Sequence, residues 1–231
     1  MSMVRIVGVL ASLVVVVAIL MAIVQVKQFE KIPDEGLPGG FKGRVLAMEF
    51  VSNKVDVEKI LAPDVTLNRE VMQTVLMIDF VWIGCYGLLF VTISMLLMRR
   101  RCPWARYLGF VALIAGVASA AFDVRENRRI LAVMSQFPYD QNLVNQVNDA
   151  ALLKWTLGFV AIALLAIAFQ DLNNKLANWI SISFIVTAVV GFVGLWRYPL
   201  LGLVGLPLLI ALILLAFTAF FRPQNLLESS C

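Results

Sequence analysis

Residues 71–98 read VMQTVLMIDFVWIGCYGLLFVTISMLLM, and Asp79 is the only charged residue among them. A helix needs about 20 predominantly apolar residues to cross the roughly 30 Å hydrocarbon core of a bilayer. This stretch exceeds that length and therefore predicts a transmembrane helix. A carboxylate inside such a helix is energetically costly, which makes Asp79 a candidate functional residue.

The composition of the whole chain agrees with a membrane protein. Of its 231 residues, 61% are hydrophobic and 15% are charged, whereas about 25% of the residues in a typical soluble domain are charged. This apolar content exceeds what a single water-soluble core of this size can bury. It excludes a soluble enzyme and an intrinsically disordered chain.

Six apolar stretches approach or reach the length of a membrane span. They cover residues 6–26, 71–98, 104–122, 150–169, 179–196 and 200–221. An even number of spans places both chain termini on the same side of the membrane. We therefore predict an all-α fold, a polytopic transmembrane helix bundle of about six spans that forms one domain.

Two segments, 27–70 and 123–149, are predicted to lie outside the membrane. The apolar residues at 45–51 are too numerous for a solvated linker and indicate a short helix. Asn53, followed by an acidic residue three positions later, resembles a helix-capping pattern, and Pro63 would end the helix that it begins. We expect these two short helices in 27–70 to lie at the membrane interface or to dip into the bundle.

The charges of the connecting segments predict an orientation. Arginines 99–101 lie in a short connection, whereas the charges of the long segment 27–70 count for little, because long loops translocate largely regardless of charge. We expect both termini in the cytoplasm and, since no sorting motif is present, a bacterial inner membrane. Arg125, Arg128 and Arg129 argue against this orientation.

Three ionisable residues of different spans are predicted to lie at one depth. Asp79 is 20 residues from Arg99, and Asp123 is 20 residues from Pro103. At 1.5 Å per residue, both carboxylates lie about 30 Å from the opposite face of the membrane. Lys154 lies somewhat deeper in its span, but its flexible side chain can reach the same level. Such buried charges need partners, so we expect them to meet inside the bundle.

More polar residues surround this level. Glu126 and Asn127 follow Asp123 by about one helical turn, and Tyr86 lies two turns from Asp79. Glu49 lies among apolar neighbours and could turn inward. Together they predict a ligand-binding polar pocket near one membrane face, formed by Glu49, Asp79, Tyr86, Asp123, Glu126, Asn127 and Lys154.

Three short motifs carry a resemblance to known proteins. They are Ala47-Met48-Glu49-Phe50, Ile78-Asp79-Phe80 with Tyr86, and Asp123 with Glu126-Asn127. The pattern resembles small multipass bacterial membrane proteins of unassigned function, and it covers about residues 45–130. The resemblance implies no activity, but it implies that Glu49, Asp79, Tyr86, Glu126 and Asn127 form a unit.

Structural interpretations of the same residues stay open. Asp79 and Lys154 could form an ion pair that only fixes the register of two helices. Another possibility is a solvated helix end formed by Asp123, Arg125, Glu126, Arg128 and Arg129. Four tryptophans are expected to anchor the chain at the membrane interface: Trp104, Trp155, Trp179 and Trp196. The three cysteines have no CxxC spacing, which predicts neither a disulfide bond nor a zinc site.

The pocket favours binding or transport of a small amphiphile, a lipid headgroup or a cation. One alternative is a membrane-embedded lipid-modifying enzyme in which Glu49 or Asp79 acts as general acid or base, in its boldest form with Mg²⁺ held by Asp79, Asp123 and Glu126. The sequence weakens this alternative, since it contains no histidine, no GxSxG and no HExxH motif. We predict no cofactor and no metal site.

The other alternative is a structural or assembly subunit of a membrane complex. The expected partners are membrane lipids, a small amphiphilic ligand or cation, and a second copy of the chain or other subunits. Nucleic acid is excluded as a partner, because no basic stretch is interleaved with exposed aromatic residues.

Overall fold

The computed structural model describes residues 2–29, 36–41, 43–62, 64–100, 102–170, 172 and 174–226. Within these ranges the chain forms eight α-helices, three short 3₁₀ turns and no β-strand. Six of the described helices are long and apolar enough to cross a membrane, by length and composition. The predicted all-α bundle of about six spans is therefore confirmed, and the chain is an integral membrane protein.

The helices follow one another along the chain with short connections. They are α1 (Met3–Phe29), α2 (Arg44–Glu49), α3 (Lys54–Leu61), α4 (Val65–Met98), α5 (Pro103–Ser135), α6 (Gln141–Gln170), α7 (Lys175–Trp196) and α8 (Gly205–Phe221). The six spanning helices are α1, α4, α5, α6, α7 and α8. The last span begins with a 3₁₀ turn and covers Tyr198–Phe221.

The six spanning helices form a closed ring. Each helix packs against two neighbours in the order α1, α4, α5, α6, α7 and α8, and α8 packs back against α1. At this last contact a Cβ atom added to Gly8 of α1 would lie 3.0 Å from Cβ of Ala219 on α8. Small residues at such contacts let helices approach closely in a membrane. A ring of this kind leaves an interior that all six helices can line.

The helices α5 and α6 extend beyond the apolar stretches that predict their spans, and for α6 the sequence indicates this through the helix start at Pro138-Tyr139-Asp140. The segment 123–149, expected to lie outside the membrane, is mostly helical, because α5 continues to Ser135 and α6 begins at Gln141. Both extensions bury apolar side chains, namely Ile130 and Val133 on α5 and Val144 and Val147 on α6. Both helices therefore remain packed within the protein beyond the predicted spans.

The segment 27–70 contains the two predicted short helices, α2 and α3. The helix α3 begins after Asn53, whose side-chain oxygen accepts a hydrogen bond from the backbone N–H of Asp56 at 2.9 Å. This contact satisfies one of the backbone donors that are left free at the start of a helix. The predicted start of this helix is therefore confirmed.

Buried side chains bind the carbonyl groups at the end of α3. Arg44 of α2 donates to the Ala62 carbonyl at 2.8 Å, and Asn68 of α4 donates to the Leu61 carbonyl at 2.7 Å. Carbonyls at a helix C-terminus otherwise lack partners inside the helix. These bonds fix α2 and α3 against α4, and they hold Glu49, the last residue of α2, near the ring.

One prediction about the cysteines is wrong. Cys102, in the connection between α4 and α5, is disulfide-bonded. Sequence spacing alone does not report which cysteines the fold brings together.

Candidate functional site

The side chain of Lys154 on α6 lies at the centre of the polar residues. Its Nζ atom is 3.1 Å from Glu49 Oε2, 3.0 Å from Asp123 Oδ1 and 2.6 Å from Glu126 Oε2. The side chain is only 8% exposed, so these ion pairs form away from water. One ammonium group therefore links α2, α5 and α6. We call these four residues, Glu49, Asp123, Glu126 and Lys154, the Lys154 cluster.

The close approach of α5 and α6 has a local cause. Asp123 and Glu126 are three residues apart, so both project toward α6. One turn earlier, the Ser119 hydroxyl donates to the backbone carbonyl of Lys154 at 2.8 Å. A Cβ atom added to Gly158 would lie 3.1 Å from the Ser119 hydroxyl, so glycine keeps space for this contact. The hydroxyl and the glycine together hold the two helices at short range.

Helix α4 contributes two further polar contacts. The Tyr86 hydroxyl donates to Asp123 Oδ2 at 2.8 Å. The Asn127 side-chain amide donates to Asp79 Oδ2 at 2.7 Å. The structure therefore brings together all seven residues that the sequence singles out. Their role in binding a ligand stays a prediction.

The pairing differs from the simplest expectation. Among the described residues, Lys154 forms its ion pairs with the cluster carboxylates, and Asp79 accepts from Asn127 instead. The interpretation of Asp123 and the charged residues after it as a solvated helix end holds only in part, because Asp123 and Glu126 are buried, whereas Arg125 and Arg128 are exposed. The reason is that α5 continues beyond its predicted end and carries both acidic side chains into the helix packing.

The role of Trp155 in the structure differs from the role that the sequence predicts. Trp155 was expected to be an interfacial anchor, but its indole N–H donates to Glu49 Oε2 at 2.9 Å. Its ring centroid also lies 5.4 Å from the Nζ atom of Lys154. The only sign of this role in the sequence is that Trp155 directly follows Lys154. A tryptophan at that position could equally face lipid.

A cavity of about 300 Å³ occupies the interior of the ring. All six spanning helices and α2 contribute to its wall. Five of the seven predicted residues line its polar end: Glu49, Asp79, Tyr86, Asp123 and Lys154. Glu126 and Asn127 lie behind this wall, where they contact Lys154 and Asp79.

The remainder of the cavity is long and apolar. On α6 the wall runs from Lys154 to Leu165, and on α1 it runs from Gln25 to Val14. At 1.5 Å per residue, each wall extends about 16 Å along its helix. The cavity thus has one polar end and one apolar body, which is the polarity of an amphiphile. Gln25 was not identified from the sequence, because one amide in an apolar span gives no sign of the side it faces.

The site contains more acidic than basic groups. Four carboxyl groups, those of the cluster and that of Asp79, face one ammonium group, which leaves three negative charges in excess when all are ionised. Burial raises the pKa of the Glu49 carboxyl above its ordinary value, and the nearby Lys154 partly opposes this. Buried charges without partners are costly, so protonation of a carboxyl group or an additional positive charge would lower the energy of the site.

The carboxylates converge on Lys154 rather than on a common empty point. In the described part of the chain, no group of three or more Cys, Asp or Glu residues is arranged to hold a metal ion. The bold form of the enzyme alternative, with Mg²⁺ held by Asp79, Asp123 and Glu126, has no support from this geometry.

No known protein family, curated protein or solved structure matches this chain. Function is therefore inferred from the site, whose geometry and chemistry carry more information than the fold class alone.

Proposed function

We propose that this integral membrane protein binds or transports a small amphiphile in the cavity of its helix ring. The observation that carries the proposal is the combination of an acidic end, formed by Asp79 and the Lys154 cluster, with a long apolar body. The polar end of the amphiphile lies against the carboxylates, and its hydrocarbon part lies along α1, α4, α6 and α8. This arrangement is typical of ligand sites, which are concave, mostly apolar and furnished with a few polar groups.

The cavity itself argues for a ligand over a mere register device. An ion pair that fixes helix register requires neither a charge excess nor a void. Protein interiors are otherwise close-packed, with few voids larger than a water molecule. Empty enclosed cavities in soluble proteins cost about 24 cal/mol per Å³, and this cavity, although partly open, has space for an occupant that packs against its wall. Its volume of about 300 Å³ also falls at the lower end of the range for small-molecule sites.

An assembly subunit would need a small-residue face that is free to bind a partner. Gly191 on α7 does not belong to such a face, because a Cβ atom added there would lie 2.3 Å from the Phe159 ring on α6. This glycine is buried and serves packing within the chain. It therefore offers no support for an assembly surface, and the lipid-modifying enzyme has no specific observation in its favour.

The membrane and the orientation belong to the same proposal. The arginines of the α4–α5 connection favour cytoplasmic termini in a bacterial inner membrane, with the polar end of the cavity toward the outer leaflet. The disulfide bond of Cys102 on the face of the termini points the other way, since such bonds are typical of oxidising compartments. Fusion of a periplasm-specific reporter to the C-terminus decides between the two orientations. The reporter stays inactive if the termini are cytoplasmic and becomes active if they are periplasmic.

Two neighbouring leucines on α4 provide the test of binding. Leu89 is 5% exposed and lines the cavity, whereas Leu88 is 58% exposed on the outer surface of the ring. Leu89→Trp fills the cavity with a larger side chain, and Leu88→Trp makes the same change toward lipid. The probes are decyltrimethylammonium, decanol and decanoate, which share a chain and differ in charge.

We expect the wild type and Leu88→Trp to retain at least one probe in native mass spectrometry and in equilibrium binding to nanodisc-embedded protein. Leu89→Trp should lose this binding while it keeps a similar melting temperature. If no probe binds the wild type more than it binds Leu89→Trp, the cavity is not an amphiphile site and the proposal is wrong.

A further inference from the structure

We propose that the amphiphile is an organic cation, whose alkylated ammonium head lies between Asp79 and the aromatic side chains at the polar end of the cavity. The inference rests on the proposed function, because it names the class of ligand that the same cavity takes.

The first support is the charge of the polar end. Lys154 neutralises only one of the four carboxyl groups, and its ammonium group is already bound by three of them. The fully buried Glu126 points into this cluster, and its Oε1 atom finds no hydrogen-bond partner among the residues that the structure describes. A ligand with a positive charge would lower the electrostatic energy of these groups, whereas a phosphate or carboxylate head would raise it. When these carboxyl groups are ionised, the charge excess thus selects against anionic amphiphiles.

The second support is the position of Asp79. This carboxylate lines the cavity and accepts a hydrogen bond from Asn127. Within the ranges that the structure describes, no basic side chain forms a salt bridge with it. Its side chain is only partly buried, so the carboxylate remains accessible from the cavity. Asp79 is therefore the acid that a cationic head can approach without breaking an existing ion pair.

The third support is a set of aromatic side chains around the acids. Two pairs of aromatic rings line the cavity. On α4 the ring centroids of Trp82 and Tyr86 are 4.7 Å apart, and on α6 those of Trp155 and Phe159 are 5.4 Å apart. Aromatic faces attract quaternary ammonium groups through cation–π interactions. The Trp155 ring already lies near one cation, the Nζ atom of Lys154. Carboxylates with aromatic rings suit an alkylated ammonium head, which needs no hydrogen-bond acceptor.

The same wall fits a divalent metal ion poorly. Calcium and magnesium ions require six or more oxygen ligands at short distance. In the described residues the acidic groups do not form such a cage, and apolar or aromatic side chains make up most of the remaining wall. An alkylated ammonium ion, in contrast, matches an environment that is acidic on one side and apolar on the others.

The test compares the three decyl probes on the wild type, Asp79→Asn and Glu70→Gln. Glu70 lies on the same helix, is exposed, and loses the same charge on substitution. It therefore controls for a general change in surface charge. We expect the wild type and Glu70→Gln to bind decyltrimethylammonium at least about tenfold more tightly than decanol. Asp79→Asn should lose this preference and keep its affinity for decanol.

A second variant covers the case in which Asp79→Asn does not fold. Trp82→Leu removes an aromatic face from the cavity, and within the described residues the indole N–H of Trp82 has no hydrogen-bond partner to lose. It should also weaken the binding of decyltrimethylammonium and leave decanol binding unchanged.

The outcomes separate the two proposals. If the three probes bind equally, or decanoate binds best, and Leu89→Trp abolishes that binding, the ligand is not a cation and the proposed function stands. If both variants keep the full preference for the cation, Asp79 and Trp82 do not form its site, and the inference is overturned. If no probe shows binding that depends on the cavity, the proposed function fails as well.

Discussion

At the scale of single residues, Lys154 holds the site together, because one ammonium group contacts three carboxyl groups from two other helices. Removal of one partner from a buried ion pair costs about 3–5 kcal/mol in soluble proteins, since the remaining charge is left buried. We expect Lys154→Met to lower the stability of the protein by a similar amount, measured by thermal unfolding in detergent. Lys175→Met, at an exposed position at the start of α7, should have little effect.

The stability that Lys154→Met loses should be partly recovered by a second substitution. If unpaired carboxylates cause the destabilisation, Glu126→Gln introduced together with Lys154→Met removes one of them and recovers part of the stability. A double variant no more stable than Lys154→Met alone would show that the cost comes from lost packing rather than from charge.

The sequence predicts which residues meet but not how they pair. The helical rise places Asp79, Asp123 and Lys154 at one depth, because depth depends only on counting residues along each span. Pairing also depends on the rotation of each helix about its axis. For that reason the hydrogen bond from Asn127 to Asp79 and the contact of Trp155 with Glu49 emerge only from the structure.

At the scale of elements, the end of α3 depends on a buried amide. Asn68 is 1% exposed and donates to the Leu61 carbonyl. We expect Asn68→Ala to cost about 1–3 kcal/mol of stability, because it leaves a buried carbonyl without this partner. Hydrogen exchange in α2 and α3 should increase, since the bond helps to fix these helices against α4. Asn178→Ala, at an exposed position of α7, is the matched control and should change neither quantity.

Helices with local signals are the ones that the sequence predicts best. The start of α3 follows from Asn53 and the acid three residues later, which form contacts within one helical turn. The extension of α5 to Ser135 has no such signal, since it depends on burial against α6 rather than on its own residues. Hydropathy therefore located the spans, and the helix start at Pro138-Tyr139-Asp140 indicated the extension of α6, but no local signal gave the end of α5.

At the scale of the whole molecule, the order of helices around the ring is the feature that the sequence could not supply. The interior and lipid-facing sides of a span differ little in hydrophobicity, because lipid is as apolar as a protein core. In α1, for example, the buried Val7 and Ala11 and the exposed Val9 and Leu13 alternate without a polar face. The contact that closes the ring joins α1 to α8, close to the two ends of the chain, so no local pattern reports it.

Closure of the ring between α1 and α8 should be required for binding, even far from the polar end. Gly8 is buried at this contact and lies six residues, or about 9 Å, from Val14, the nearest cavity residue of α1. A leucine at this position cannot fit beside Ala219 and Phe220, so Gly8→Leu should separate the two helices, lower the melting temperature and release the decyl probes. Gly84→Leu is the matched control, because a Cβ atom added to this exposed glycine of α4 meets nothing within 4 Å. Unchanged probe retention in Gly8→Leu would mean that the cavity is enclosed without the α1–α8 contact, and the closed ring would then not be the basis of binding.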